Sequence, residues 1–268
     1  MDFHMGNIGR LLRPLQFCYS LRNHIIRKPN VAEEKKKGPI LLITAFEPFD
    51  GAKTNSSLIL LEKLQEEDWG GRVVFFGPVP VSFDDAWPII QQEMKRHPDL
   101  QGVLALGQAG GRPCLSLERR AVNWTDAHIP DNYGVLPRHC RVEEGEPKTL
   151  WSTFPWNELE KSKNWECSYF AGNYLCNEIM YRLVNWSLKE EGKTAGFVHI
   201  PLLESQGADP ALGKHSPRMK DDAAADSLRR IINFSLETLE ARMEAKPKPA
   251  VKRLPFRRIG GHAPDFGK

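Results

Sequence analysis

Three strand-length apolar runs set the first constraint on this chain: Pro39 to Phe46, Arg72 to Gly77 continuing into Val79-Pro80-Val81, and Leu100 to Gly107. A strand that is apolar at consecutive positions, not alternate ones, must be covered on both faces, as in a parallel sheet. Parallel neighbours need crossover connections, and the segments between these runs are helical in pattern. Leu58 to Leu64 follows the cap-prone Thr54-Asn55-Ser56-Ser57, and Asp84 to His97 spaces Trp87, Ile90 and Met94 along one side. The alternation predicts an α/β fold: a single doubly wound α/β/α sandwich with a mostly parallel central sheet and right-handed crossovers. In such a sheet the ligand site lies beyond the carboxyl ends of the strands. Two turn-rich strand exits fall there, Glu47-Pro48-Phe49-Asp50-Gly51 and Gln108-Ala109-Gly110-Gly111-Arg112.

Further along, Leu115 to Asn123 carries Glu118 beside Arg119 and Arg120, and His128 to Gly134 reads as a loop from its Pro, Asp, Asn and Gly. Val135 to Asn164 reads as surface excursions around a short helix, and Cys167 to Phe170 as a short strand. Ala171-Gly172-Asn173 then leads into an amphipathic helix over Cys176 to Leu188. Gly196 to Pro201 is a strand with His199 close to its end, and Asp221 to Met243 is the last long helix.

With 268 residues the chain is near the upper limit for a single core, so one domain with extensions is expected. Residues 1–37 form an N-terminal basic amphipathic extension: from Phe3 to Ala32 there is no acidic residue, while five Arg and Lys side chains are interleaved with apolar ones. That is the composition of a mitochondrial transit peptide, or of a helix that packs on the domain or dangles from it. Residues 245–268 form a basic, Pro-rich tail with too few apolar side chains to offset the entropy of ordering. A net charge of +3 does not argue for nucleic acid, and no apolar run reaches the roughly 20 residues of a membrane span. The five cysteines are scattered without a CxxC pair, which suits a reducing compartment. A cytoplasmic location is expected, or a mitochondrial one if the leader is a transit peptide.

Cys176 at the head of a helix admits two readings. As a small buried hydrophobe it needs no partner. As a nucleophile it gains from the first-turn N–H groups, which favour thiolate over thiol and can hold an oxyanion. A thiol nucleophile needs a base, and usually a third group to orient that base. His4, His24 and His262 lie in the extensions, and His97 sits at a helix end before Pro98. His199, embedded in an apolar strand near the sheet edge, is either a satisfied core residue or the base. Glu118 is either the orienting acid or an ion-pair partner of Arg119 or Arg120. Phe46 and Phe49 line a small pocket or pack beneath the turn between them. Cys114, His128, Cys140 and Cys167 lack the paired spacing of a metal site, and Gln108 to Gly111 matches neither a P-loop nor a dinucleotide turn.

Taken together, several stretches resemble one family, the pyroglutamyl-peptidase I cysteine peptidases. Ile43 to Gly51 with Asn55 looks like its TGFxPFGG…N motif, and Gly107 to Arg112 followed by Glu118 to Asn123 like its GxAGGR…ERxAxN signature. Ile129 to Asn132 matches its IPDN loop, Gly172 to Asn177 its GTxxCN nucleophile motif, and Val198 to Pro201 its histidine strand. The resemblance covers roughly residues 39–240 and implies a phosphorylase/hydrolase-like catalytic domain over 38–244. It implies that Cys176 is the nucleophile, His199 the general base and acid, and Glu118 the group orienting His199. Phe46 and Phe49 would clasp a five-membered lactam, Gln108 would sit in the loop that hydrogen-bonds the ring amide, and Asn55 would join the substrate-binding set. The implied reaction removes an N-terminal pyroglutamyl residue from peptides through a thioester, with no metal or organic cofactor. The implied partners are such peptides; no nucleic acid is expected, and a homo-oligomer is left open. The chain departs from the family pattern at Ala45, Asp50, His128 and Asn173, and Val135 to Glu166 is poorly matched. A related cysteine amidase acting on another cyclic or N-blocked amide, or an idle homologue that binds through its basic ends, would carry the same stretches.

Overall fold

A computed structural model describes residues 40–207 and 209–245. The leader over 1–37 and the basic tail beyond 245 lie outside the described residues. In chain order the elements are β1 (Ile40–Phe46), α1 (Ser56–Gln65), β2 (Val73–Val79), α2 (Ala86–Lys95), β3 (Leu100–Gln108), β4 (Leu115–Glu118), β5 (Arg120–Val122) and β6 (Thr149–Trp151). They continue with β7 (Trp165–Ser168), α3 (Leu175–Lys189), β8 (Thr194–Ile200), β9 (Leu202–Leu203), β10 (Arg218–Met219) and α4 (Asp221–Glu244).

Six strands form the central sheet in the order β2-β1-β3-β8-β4-β7. Four of its five pairings are parallel; only β4 runs antiparallel to β8. Two of the three apolar runs, β1 and β3, are buried as their pattern implied, whereas β2, at the edge of the sheet, is only partly buried. Alternate residues of one strand enter different cores: Leu41, Ile43, Leu104, Leu106 and Val198 pack with α1 and α4, whereas Leu42, Val103, Ala105 and Phe197 pack with α2 and α3. Leu41, Leu42 and Ile43 are fully enclosed, and truncating any one of them to alanine costs ~2–5 kcal/mol by lost burial and cavity formation. The result is a three-layer sandwich with an α/β, mostly parallel sheet. No helix among the described residues is long and apolar enough to cross a membrane.

Two regions depart from expectation. No short helix forms within Val135 to Asn164. Instead β6 pairs antiparallel with β5, matching Trp151 to Arg120 and Thr149 to Val122. Beyond it Phe154 and Trp156 are buried, their rings 4.9 Å apart, directly over Gly196. A Cβ on Gly196 would lie 2.8 Å from carbons of both rings, so this excursion is part of the core. Pro155 between the two aromatics disfavours helical backbone at Phe154, which accounts for the missing helix. The second is Leu115 to Asn123, to which the sequence pattern assigned no element: it contains β4 and β5, and β4 is buried throughout its four residues.

Candidate active site

Strands β1, β3 and β8 end at one edge of the sheet, and α3 begins there. Gly107 on β3 faces His199 on β8 in register, and Ser116 on β4 faces His199 from the other side. Glu118, opposite Phe197, is therefore the diagonal neighbour of His199 on the same face of the sheet. Its Oε1 lies 2.8 Å from His199 Nδ1. Both residues are buried, Glu118 completely. Arg119 and Arg120 are not its ion partners: Arg119 lies over the Tyr169 ring, and Arg120 Nε donates to Tyr169 O. The partner is Arg112, whose Nη2 is 2.8 Å from Glu118 Oε1 and also donates to Phe170 O at 2.9 Å. Arg112 thus ties the acid to the segment that leads into α3.

Cys176 lies in the first turn of α3. The residue at the cap position is Tyr174, which makes no side-chain capping bond. First-turn N–H groups have no acceptor within their own helix, so those of Leu175 and Cys176 remain available as donors. Cys176 Sγ rests against Gly107: a Cβ built there would meet it at 3.0 Å, and Phe197 Cζ at 2.7 Å. The absence of a side chain at Gly107 lets the thiol reach the floor of the site. Its ring neighbour Phe197 lies in turn against His199, the two rings tilted with centroids 4.9 Å apart.

The electrostatics differ from the sequence expectation. Helix-end N–H groups were expected to lower the Cys176 thiol, but desolvation, with the nearby Glu118 charge, pushes it up to about 12. Burial likewise drives His199 below its ordinary value, against the opposing pull of Glu118. Burial also opposes charge on Glu118, but its hydrogen bond to His199 and the His199 and Arg112 charges hold the carboxyl below the usual range. Burial thus favours the neutral forms of both thiol and imidazole, beside a carboxylate that Arg112 and His199 favour in its ionised form. No hydrogen bond joins Cys176 to His199 among the described residues.

Beside the thiol is a small pocket. Phe46, Phe49, Val81 and Tyr174 supply apolar wall, Asn55 and Gln108 polar wall, and Cys176 borders it. Phe49 and Tyr174 stack with centroids 6.3 Å apart, and Phe83 meets Tyr174 edge-on at 5.1 Å. The loop over Ile129 to Asn132 braces this wall. Asn132 Nδ2 donates to Glu47 Oε1 and Pro48 O, Asp131 Oδ2 accepts from Phe83 N–H, and Tyr174 OH donates to Pro130 O. Asn55 has its amide largely engaged: Oδ1 accepts from Ser57 N–H and Oγ–H, and Nδ2 donates to Glu47 O. Of the family departures, Asp50 has φ 53°, a left-handed conformation that Asp tolerates better than most residues, and His128 is exposed and lines no wall of the pocket.

Sequence reasoning passed over Tyr174, Val81 and Arg112 as site residues, although Tyr174 and Arg112 lie within quoted motifs. A sequence signal existed for Arg112 alone: a cation in a strand-exit loop with an acid six residues on. Among the described residues no group of three or more His, Cys, Asp or Glu gathers as metal ligands.

A sequence profile of the family described as pyroglutamyl peptidase matches residues 40–238. The chain is 38% identical over 172 residues to a pyrrolidone-carboxylate peptidase of Erwinia tasmaniensis, covering 62% of this chain and 79% of that one. It is 32% identical over 220 residues to the Streptococcus suis protein of the same name, covering 80% and 96%. Among solved structures, the pyrrolidone carboxyl peptidase of Pyrococcus furiosus superposes with a TM-score of 0.66 at 29% identity, covering 74% of this chain and 99% of that one. The pyroglutamyl peptidase I of Bacillus amyloliquefaciens gives 0.67 at 27% identity, covering 75% and 98%. The sandwich, the cysteine at its helix terminus and these likenesses agree, and the chain belongs to the pyroglutamyl peptidase family as a hydrolase of the cysteine-peptidase type.

Proposed function

We propose that this protein hydrolyses the N-terminal pyroglutamyl residue from peptides, with Cys176 as nucleophile, His199 as general base and acid, and Glu118 as the residue that orients His199. The observation that carries the reading is the buried Glu118–His199 hydrogen bond of 2.8 Å, on the sheet face against which the Cys176 thiol packs, beside a small aromatic pocket. A pyroglutamyl ring has no ionisable amine, so it suits walls of Phe46, Phe49 and Tyr174 with a few amide groups for orientation. Within the family reading, residues 38–244 act as the catalytic domain.

Because burial favours the neutral thiol and imidazole, the thiolate forms as substrate is attacked. His199 takes the Cys176 proton while Sγ adds to the scissile carbonyl. The resulting oxyanion meets the free first-turn N–H groups of Leu175 and Cys176. Glu118, kept ionised by Arg112, stabilises the imidazolium that forms. His199 then protonates the departing amine, leaving a thioester on Cys176. Water, deprotonated by the same imidazole, attacks that thioester and releases pyroglutamate and free thiol.

The test is release of a fluorogenic amine from its pyroglutamyl amide by reduced protein, with iodoacetamide and Cys176→Ala as controls. No turnover by folded wild-type protein sinks the proposal. Faster cleavage of an alanyl or prolyl amide would point to a different amidase.

A further inference from the structure

Gln108 has one amide end engaged and the other free. Its Oε1 accepts from Ser56 N–H at 2.8 Å and from Gln206 Nε2 at 2.8 Å. Gln206, in the single turn Glu204–Gln206 after β9, is itself fixed: its Oε1 accepts from Leu203 N–H at 2.9 Å, and its Nε2 also reaches Thr54 Oγ1 at 3.2 Å. Two backbone N–H groups, of Leu203 and Ser56, thus stand at the ends of a two-amide chain. A backbone N–H can only donate, so the atoms facing it must be oxygens. Flipping either amide would set N–H against N–H. The orientation of Gln108 is therefore dictated from two sides, and its NH₂ is left for the pocket that Gln108 lines.

We propose that Gln206 is a positioning residue for substrate selectivity: it holds the Gln108 amide with its NH₂ toward the pocket, so that the pocket selects a ring bearing a carbonyl acceptor. This rests on the pyroglutamyl reading above. A lactam carbonyl accepts from Gln108 Nε2, whereas a ring with CH₂ there leaves that donor unpaired as water is excluded, and such a mismatch is strongly rejected. Gln206 lies 98 residues from Gln108 in sequence and does not line the pocket.

Gln206→Glu isolates the effect. The carboxylate keeps the shape and the bond from Leu203 N–H but has no N–H to give Gln108 Oε1, so Gln108 either swings away or turns its carbonyl to the pocket. Steady-state kinetics on the full chain should give a KM for a pyroglutamyl amide raised about tenfold with kcat changed less than about threefold, the loss of one oriented hydrogen bond. The inhibition constant of 2-pyrrolidinone should rise about equally, while that of cyclopentanecarboxamide, which lacks the ring carbonyl, stays constant. If Gln206→Glu does not fold, Gln206→Met, which is neutral, similar in volume and lacks the donor, should shift both constants in the same direction but less, because Ser56 N–H still faces Gln108 Oε1. An unchanged KM and lactam constant in a folded variant overturns the relay, as does an equal loss for both ring probes. If wild-type protein does not cleave pyroglutamyl amides, it is the functional reading that fails. The relay is then judged separately from the shift in melting temperature that 2-pyrrolidinone induces in wild type and variant.

Discussion

Helices α1 and α3 both begin at the pocket beside Cys176, and their first turns are finished in opposite ways. At α1, Asn55 Oδ1 accepts from Ser57 N–H and Gln108 Oε1 accepts from Ser56 N–H, so the helix start is closed by protein. At α3, Tyr174 occupies the cap position, contributes no side-chain acceptor, and turns its ring to the pocket wall instead. A capping side chain is worth ~1 kcal/mol to a helix, which α3 forgoes. The contrast separates two tasks. A closed terminus fixes the geometry of a wall that recognises substrate. An open one keeps dipoles pointed at a charge that exists only during reaction, which is where such groups accelerate chemistry most.

The widest separation between the two termini comes from the thiol. Cys176→Ala should lower kcat/KM for a pyroglutamyl amide by at least ~10⁴-fold while the protein still folds, checked by fluorogenic assay and circular dichroism. Closing α3 as α1 is closed comes next: Tyr174→Asp supplies an acceptor to the first-turn amides and should reduce kcat by about 10²-fold. Tyr174→Phe, which loses only the bond to Pro130 O, should stay within about tenfold of wild type. Retention of full kcat by Tyr174→Asp would remove the oxyanion role from α3.

The pH dependence of alkylation probes the same terminus without substrate. The folded Cys176 thiol is raised from 9.0 to about 12, so thiolate is scarce at neutral pH and grows as pH climbs through 9 and beyond. The greater nucleophilicity of a more basic thiolate recovers part of that roughly 10³-fold deficit, so iodoacetamide should label Cys176 at pH 7 on the order of 10²-fold more slowly than an unhindered thiol, with the rate still rising at pH 10. A plateau near pH 6 would instead reveal a preformed thiolate–imidazolium pair. The smallest effect lies at α1. Asn55→Ala should cost ~1 kcal/mol through the lost cap, seen as a melting temperature lower by about 2–4 °C, and change kcat far less than Tyr174→Asp does.

The closed terminus was more legible in sequence than the open one. Thr54-Asn55-Ser56-Ser57 before an apolar helix announces a cap, and the apolar runs announce strands covered on both sides, because both signals are local. The placement of Cys176 in a first helical turn was local too. What desolvation does to its thiol was not, since that depends on Phe197, Gly107 and Glu118, which the register of β3, β8 and β4 brings together. The sheet likewise hides the grounds for Glu118: next to Arg119 and Arg120 in sequence, it pairs with Arg112 and His199 in space. Phe154 and Trp156 were misread as surface because their partner Gly196 is some forty residues away. Gln206 carries no sequence mark at all, being linked to Gln108 only through the return of the chain after β8.

Gly107 sets a limit on what inventories of catalytic side chains can say about relatives of this protein. A single methyl group there would press on both Cys176 Sγ and Phe197 while leaving cysteine, histidine and glutamate untouched in the sequence. A chain could thus keep its whole reactive set and still be silenced, by a substitution at a residue with no functional group. For genomes screened by motif, the empty space above that glycine is as informative a marker of a working member as the thiol it accommodates.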